Sequence, residues 1–445
     1  MAEKAEAASL KRVFGLTTLV IYGVGDILGA GIYAIVGKIA GLSGSAVWIS
    51  FLAAMAVAAL TALSYAELSS RFPKSGGVAT FVQKAFRKDW LSLLVGWLMF
   101  CTCLVSMATL SKAFSGYLLA FAPMIPPAAI ILALFLGLAF VTFWGMRESS
   151  GLNIFCTTLE VSGLILVILV SILFLTGIEG GAAGAALQNV PSAAGEGLGW
   201  TPILQGAALA FYAFIGFEDI ANVSEEVKDA ERNVPRAILL ALGIAGIIYI
   251  LVAWLAVRVV GPAELATSSA PLLDVVRRAE PDFPPIVFSV IAMFAVLNTT
   301  LLNMVTASRL LFGMSREGIL PAWLGKVHPK RATPHRTLLV ILPVAIFLAL
   351  SGTLQFLAGT TATLILAMFC LVNISLFVIK RREPRTVGFQ IPLLIPILAF
   401  LSNIALAAFA SQESHILAIV FTAVGVLLVF INLVLKGRRL QRLRN

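Results

Sequence analysis

Residues 23–33 read GVGDILGAGIY, inside an apolar run that extends over about 13–37. An acid, Asp26, stands three residues ahead of Gly29-Ala30-Gly31, and the run also holds Gly23, Gly25 and Gly37. Glycine in a helix interior costs about 1 kcal/mol relative to alanine. Two readings fit this density. Small residues four apart, such as Gly25 and Gly29, let helices pack closely. Alternatively the helix is interrupted at the triplet, leaving unpaired backbone groups that at membrane depth must face protein or a wet cavity. A second segment bears on the choice. FYAFIGFEDI (211–220) is also apolar, also broken by glycine, and also carries an acid, Glu218.

The rest of the chain sets the environment of both. Of 445 residues 60% are hydrophobic and 12% charged, against about 45–50% and about 25% in soluble domains. A water-soluble core is excluded, and the chain reads as an all-α integral membrane protein. A spanning helix needs about 20 apolar residues. Twelve runs qualify, near 13–37, 43–68, 80–120, 127–145, 150–176, 199–221, 236–260, 284–314, 337–355, 359–379, 391–410 and 414–435. The third is long enough that its start is expected to tilt or to lie along the membrane surface.

Basic residues test that count. With twelve spans and a cytoplasmic N-terminus, the cytoplasmic segments hold 27 of the 32 lysines and arginines. The outer segments 177–198 and 352–358 hold none. This is the positive-inside bias, so both termini are expected in the cytoplasm and the net charge of +10 is topological. Dispersed over separate loops, the charge makes no nucleic-acid-binding module. The N-terminal 1–12 lacks a cleavable signal pattern and reads as preceding an uncleaved membrane signal.

The interrupted spans are then the first and the sixth. That is the spacing of two five-helix inverted repeats, 13–176 and 199–379, and paired broken segments in two halves point to a transporter's binding site. An external loop at 177–198, helices 11 and 12 within 380–435 and a basic cytoplasmic tail at 436–445 complete the expected organisation. Segment 261–283, bounded by prolines, reads as an amphipathic helix over the outer face. Cys101, Cys103, Cys156 and Cys370 lie in apolar runs without metal-ligand spacing and read as core residues. His328 and His335 read as ordinary loop residues. No protease, hydrolase or nucleotide-binding motif appears, so no enzyme, cofactor or ATP-driven engine is expected.

Three blocks resemble the amino acid–polyamine–organocation (APC) transporters. GAGIY looks like that family's G-x-G-I-[FY] signature in the first span. FIGFEDIANVSEEVKDAERNVPRAI (214–238) is similar to its sixth span and following loop, and ASRLLFGMSREGILPAWLGKVHPKRATP (307–334) to the end of its eighth span. The resemblance implies the LeuT-like five-plus-five fold with two further helices, and alternating access for amino acids or related amines in the cytoplasmic membrane.

Substrate chemistry fits the breaks. The helix beginning at Gly29-Ala30-Gly31 offers free N–H groups and a positive dipole end to a carboxylate. The carbonyls of Ile27, Tyr212, Ala213 and Ile215 suit an ammonium. The family assigns these roles to the matching positions. Tyr212, Phe214 and Phe217 would form aromatic walls or gates, or simply pack. Glu160, in the fifth span, stands where proton-coupled members often carry lysine, so the lysine mechanism does not transfer. A carboxyl there costs about 2.5–3.5 kcal/mol on insertion scales and must be protonated, paired or hydrated. Three roles fit it: proton coupling, shared with Asp26; a sodium site completed by Asn298, Thr299 and Thr300; or structure alone. Glu218 is a further proton-sensing candidate. Asp26 could instead face a cationic substrate or cap the broken helix.

Overall fold

The computed structural model describes residues 12, 14–73, 77–144, 150–177, 199–316, 320–328, 331, 333–384 and 388–444. The proposed external loop at 177–198 lies outside them except for Gly177, as do residues 1–11. Among the described residues the chain is helical, and its one β pairing is an isolated bridge between Phe14 and Val227. Nine helical segments among the described residues are long and apolar enough to cross a membrane, and three shorter apolar ones are Leu16–Leu28, His335–Ser351 and Leu394–Ala408. One of the nine, Ala30–Arg71, is 42 residues, about 63 Å of helix, roughly twice a bilayer's hydrocarbon core. Gly44, with φ of +55°, ends its first part.

The first apolar run is two helices, α1 (Leu16–Leu28) and α2 (Ala30–Ser43). Then come α3 (Val47–Arg71), α4 (Gly77–Phe86) and α5 (Asp89–Leu119). The long third run is thus split at Arg87–Lys88 into a short helix and a 31-residue one. Helices α6 (Pro127–Trp144) and α7 (Ser150–Thr176) follow, then α8 (Trp200–Ala210), which gives way to 3-10 segments at Phe211–Phe214 and Phe217–Glu226. Beyond them lies α9 (Ala230–Val259). Segment 261–283 forms two helices rather than one, α10 (Pro262–Thr267) and α11 (Pro271–Ala279), with Leu272, Leu273, Val275 and Val276 all buried. The chain ends with α12 (Pro285–Arg316), α13 (Leu338–Ser351), α14 (Leu354–Arg382), α15 (Leu394–Ala408) and α16 (Gln412–Arg444).

Burial divides the helices. Phe347 of α13 is 67% exposed and Ile419 of α16 is 66% exposed, an apolar exterior that suits lipid and not water. The broken segments sit inside instead, where α1 packs on α7 and α9, and α5 packs on α12 and α14. Polar fasteners cross the interior. Thr61 of α3 accepts hydrogen bonds from Asn373 of α14 at 3.2 Å and Asn403 of α15 at 3.0 Å. Nearby, Glu67 of α3 is wholly buried and paired with Arg71 and with Lys380 of α14. At the opposite end, Lys38 of α2 donates to the carbonyl of Ala266 in α10 at 2.6 Å. A Cβ at Gly37 would stand 2.3 Å from the Leu265 carbonyl oxygen, so only glycine lets α10 sit so near.

Candidate functional site

Both interruptions exist and they touch. Helix α1 stops at Leu28, Gly29 turns the chain with φ −48° and ψ −160°, and α2 starts at Ala30. The second break is longer. After the Phe211–Phe214 3-10 turn, Ile215 is extended and Gly216 has φ of +129°, a left-handed value that favours glycine. A Cβ at Gly31 would lie 2.8 Å from the Cα of Ala213, and one at Gly216 would lie 2.9 Å from the carbonyl of Asp26. The two unwound backbones are therefore in van der Waals contact, each glycine leaving room for the other strand. The isolated bridge ties them again, as Phe14 N–H donates to Glu226 and Lys228 N–H to Phe14. Gly25 serves the packing reading instead, since its Cβ would overlap Thr157 of α7 at 2.2 Å.

A cavity of about 90 Å³ opens where the breaks meet, room for a few waters or one small zwitterion. Its backbone wall comes from Ile27, Gly29, Ala30, Gly31, Ala213 and Ile215. The facing helices supply polar side chains: Thr102 and Ser106 from α5, Thr299, Asn303 and Thr306 from α12, and Thr361 from α14. A network links them. Tyr212 and Ser106 hydroxyls are 3.2 Å apart, Asn303 donates to Ser106 at 3.4 Å and to the Thr299 carbonyl at 3.0 Å, and Ala30 N–H points to the Thr299 hydroxyl at 3.4 Å. That last contact is long, leaving the first N–H of α2 available to a better acceptor. The Ile27 carbonyl already accepts from the Tyr249 hydroxyl, and its second lone pair remains for an ammonium.

Three acids also line the cavity, Asp26, Glu218 and Asp219. Glu218 is 2% exposed, and one carboxylate oxygen accepts from Gly216 N–H at 2.9 Å. Its other oxygen has no partner, and neither has Asp26 Oδ2. Asp219 accepts from Asn222 at 2.8 Å. Among the described residues, no lysine, arginine or histidine lines the cavity.

Ten of the residues singled out in sequence thus come together: Asp26, Ile27, Gly29, Ala30, Gly31, Tyr212, Ala213, Ile215, Glu218 and Thr299. Five do not. In a 3-10 turn successive side chains lie about 120° apart, so with Tyr212 facing in, Phe214 points away, onto Phe51 and Tyr249 at 6.3 and 5.4 Å between centroids. Phe217 packs against Tyr65 and Phe369 at 5.6 and 5.2 Å. Neither is a cavity wall. Asn298, Thr299 and Thr300 diverge because neighbours on an α-helix do not share a face. Thr300 is buried and bonds its own helix at 2.6 Å, while Asn298 donates to Glu160 at 3.4 Å. Glu160 is 1% exposed, outside the cavity, with its second oxygen unpartnered. Its backbone carbonyl accepts the Tyr33 hydroxyl at 2.7 Å. Sequence reasoning missed Asp219 and the polar faces of α5 and α12. Thr102/Ser106 and Thr299/Asn303 are each four apart, and that spacing was the available signal.

An apolar bundle with two broken helices that meet at a buried cavity defines a multi-pass membrane protein. Residues 14–436 match the family model described as amino acid permease. An uncharacterized transporter of Mycobacterium tuberculosis is 32% identical over 92% of this chain and 88% of its own length. A branched-chain amino acid permease of Bacillus subtilis is 27% identical, covering 84% of this chain and 82% of itself. The low-affinity putrescine importer of Escherichia coli is 28% identical over 97% and 95%. The chain belongs to the amino acid permease family of the APC superfamily, and it is a transporter rather than an enzyme.

Proposed function

We propose that the protein is a secondary active permease of the cytoplasmic membrane, importing an amino acid or related amine by alternating access and driven by protons. It uses twelve spans in two inverted five-helix repeats, 13–176 and 199–379, with helices 11 and 12 in 380–435 and both termini cytoplasmic. The observation that carries the reading is the contact of the two broken helices around the cavity, Gly31 against Ala213 and Gly216 against Asp26. A substrate carboxylate caps the N-terminus of α2 at Gly29, Ala30 and Gly31. Its ammonium meets the carbonyls of Ile27, Tyr212, Ala213 and Ile215, in the end of the cavity that holds acids and no base. The named substrates of two relatives, a branched-chain amino acid and putrescine, share an amine. Asp26, Glu160 and Glu218 are the candidate proton carriers. The separation of Asn298, Thr299 and Thr300 weighs against the sodium site that grouped them.

Uptake by purified protein in proteoliposomes tests the reading. Neutral and cationic amino acids and diamines are screened with an inward proton gradient and without sodium. One pH unit is about 1.4 kcal/mol, so one proton per neutral substrate sustains roughly tenfold accumulation. Accumulation that appears only with sodium, or only against internal substrate, overturns proton drive. Binding without movement overturns transport itself.

A further inference from the structure

We propose that the trough between α6 and α12 holds one acyl chain of an anionic phospholipid, with the lipid's phosphate seated on Arg331, His328 and His335 at the end of α6.

The trough is separate from the central cavity. It encloses about 720 Å³ between α5, α6, α7 and α12, within the roughly 300–1,000 Å³ of sites that hold a whole small molecule. Its lining is apolar. Ala129, Gly137 and Val141 mark its course along α6, and Phe294, Leu297 and Leu301 form the α12 wall. Asn298 is the one amide side chain in the lining, and it already donates to Glu160. Ala129 and Val141 are about 18 Å apart along the helix, and half of a bilayer's hydrocarbon core is about 15 Å. One acyl chain therefore runs its length. Phe294 is exposed, so the trough opens to the bilayer. Gly137 keeps the floor empty: a Cβ there would meet nothing within 4 Å, although glycine weakens a helix interior.

The charge lies at one end. Trp144 stands seven residues past Gly137 and three past Val141, on the same face of α6. It is exposed, as tryptophans are at membrane–water boundaries. The Arg331 guanidinium lies over Trp144 and Phe143, 4.1 and 4.5 Å from the ring centroids. The His328 and His335 rings meet edge to face at 5.4 Å, and each abuts Phe143, at 5.4 and 6.2 Å. Their backbone N–H groups both donate to the Thr333 carbonyl at 2.9 Å, and the Thr333 hydroxyl donates to the Phe143 carbonyl at 3.2 Å. The turn is thus fixed to the end of α6. Yet Arg331 Nη1, His328 Nδ1 and His335 Nδ1 are each buried without a hydrogen-bond partner, and no ion pair found among the described residues involves Arg331. Buried nitrogens left bare are costly. A phosphate answers all three, since a guanidinium always donates and an imidazole can present an N–H at Nδ1. Free phosphate would satisfy the nitrogens and leave the trough empty. A zwitterionic lipid would fill the trough and bring its own cation toward Arg331. An anionic phospholipid does both.

Helix α12 is the wall that the two sites share, with Leu297 and Leu301 toward the trough and Thr299 and Asn303 toward the central cavity. A chain in the trough therefore braces α6 against the helix that carries part of the cavity's polar lining.

The test uses the full chain, stripped of lipid in neutral detergent. Native mass spectrometry counts adducts of phosphatidylglycerol and phosphatidylcholine with identical chains. One phosphatidylglycerol should bind at least about fivefold more tightly than phosphatidylcholine. Arg331→Gln should bring the two lipids to within roughly twofold of each other. Gly137→Leu, which fills the floor, should weaken both lipids while the unfolding temperature of the lipid-free protein stays the same or rises. Equal affinity of the wild type for the two lipids, a preference that survives Arg331→Gln, or undiminished binding by Gly137→Leu overturns the proposal. So does displacement of phosphatidylglycerol by equimolar glycerol phosphate, which marks a free-anion site, or a dimer that Gly137→Leu separates, which puts a second copy in the trough. Should Arg331→Gln fail to fold, the wild type is photolysed with phosphatidylglycerol carrying a diazirine at the chain end. Label near Phe114 and Ala129 is expected, and label confined to α13 and α16 refutes the placement.

Discussion

Replacing Glu67 by glutamine should cost more stability than any other single polar change in this chain. Glu67 accepts from Arg71 Nε and Nη2 at 2.9 and 2.6 Å, from Lys380 Nζ at 2.9 and 2.8 Å, and from Ile391 N–H at 2.9 Å. The side chains of Glu67, Arg71 and Lys380 are 0%, 6% and 13% exposed. Glutamine keeps the size and removes the charge, leaving two cations facing each other and turning one acceptor into a donor. Removing one partner from a buried ion cluster costs about 3–5 kcal/mol. Lys380→Met should cost less, about 1–3 kcal/mol, because Arg71 still neutralises Glu67. Equilibrium unfolding in mixed detergent micelles measures both. A loss below about 1 kcal/mol for Glu67→Gln would show the cluster to be hydrated and not a weld between α3, α14 and the approach to α15. A larger loss for Lys380→Met than for Glu67→Gln would refute the charge accounting.

Three further outcomes follow from the site. Gly31→Ala puts a Cβ 2.8 Å from a backbone atom of Ala213, so uptake should fall at least about tenfold for a cost of ~1.4 kcal/mol or more; Gly243→Ala, which meets nothing within 4 Å, should leave uptake intact and add about 0.5–1 kcal/mol of stability. Tyr249→Phe strips the hydroxyl from the Ile27 carbonyl and should lower stability by about 1–3 kcal/mol, read by the same unfolding assay. Leu110→Ala enlarges the small cavity it lines, and competition assays should show preference moving toward bulkier substrates by about 1–3 kcal/mol per methylene accommodated.

The helical layout and the location of both breaks were legible because their causes are local. Apolar runs form helices in lipid, and glycine clusters beside acids mark where a helix stops. The Gly29-Ala30-Gly31 and Gly216 interruptions are visible in eleven and ten residues of text. What faces them is not, because it depends on rotational register. Glu160 reads as mid-membrane from its position, yet nothing local says that it points at Asn298 and not into the cavity. Phe214 and Phe217 sit in the right segment and turn away, since a 3-10 turn changes the angle that an α-helical reading would give. Asp219 stands beside Glu218 in the quoted segment, but only the meeting of two distant breaks brings it to the same cavity as Asp26. The length of the third run leads to the expectation that its start departs from a single span, but the position of the split turns on one residue in the left-handed region, Arg87 at φ +54°.

Lys38 makes α2 a lever. The helix has 14 residues, about 21 Å, with its fulcrum at Gly29 and Lys38 about 12 Å along it. A tilt of about 10° at the fulcrum would carry the Lys38 backbone roughly 2 Å and the far end nearly 4 Å. The bond from Lys38 to the Ala266 carbonyl, at 2.6 Å, does not stretch that far, and the Gly37–Leu265 contact leaves no slack to absorb the motion. Either α10 and α11 ride on the end of α2 or the bond breaks each time the fulcrum turns. A small rearrangement at the seam, where the proposed substrate site lies, would thereby be geared up into a larger displacement of α10 about 12 Å away.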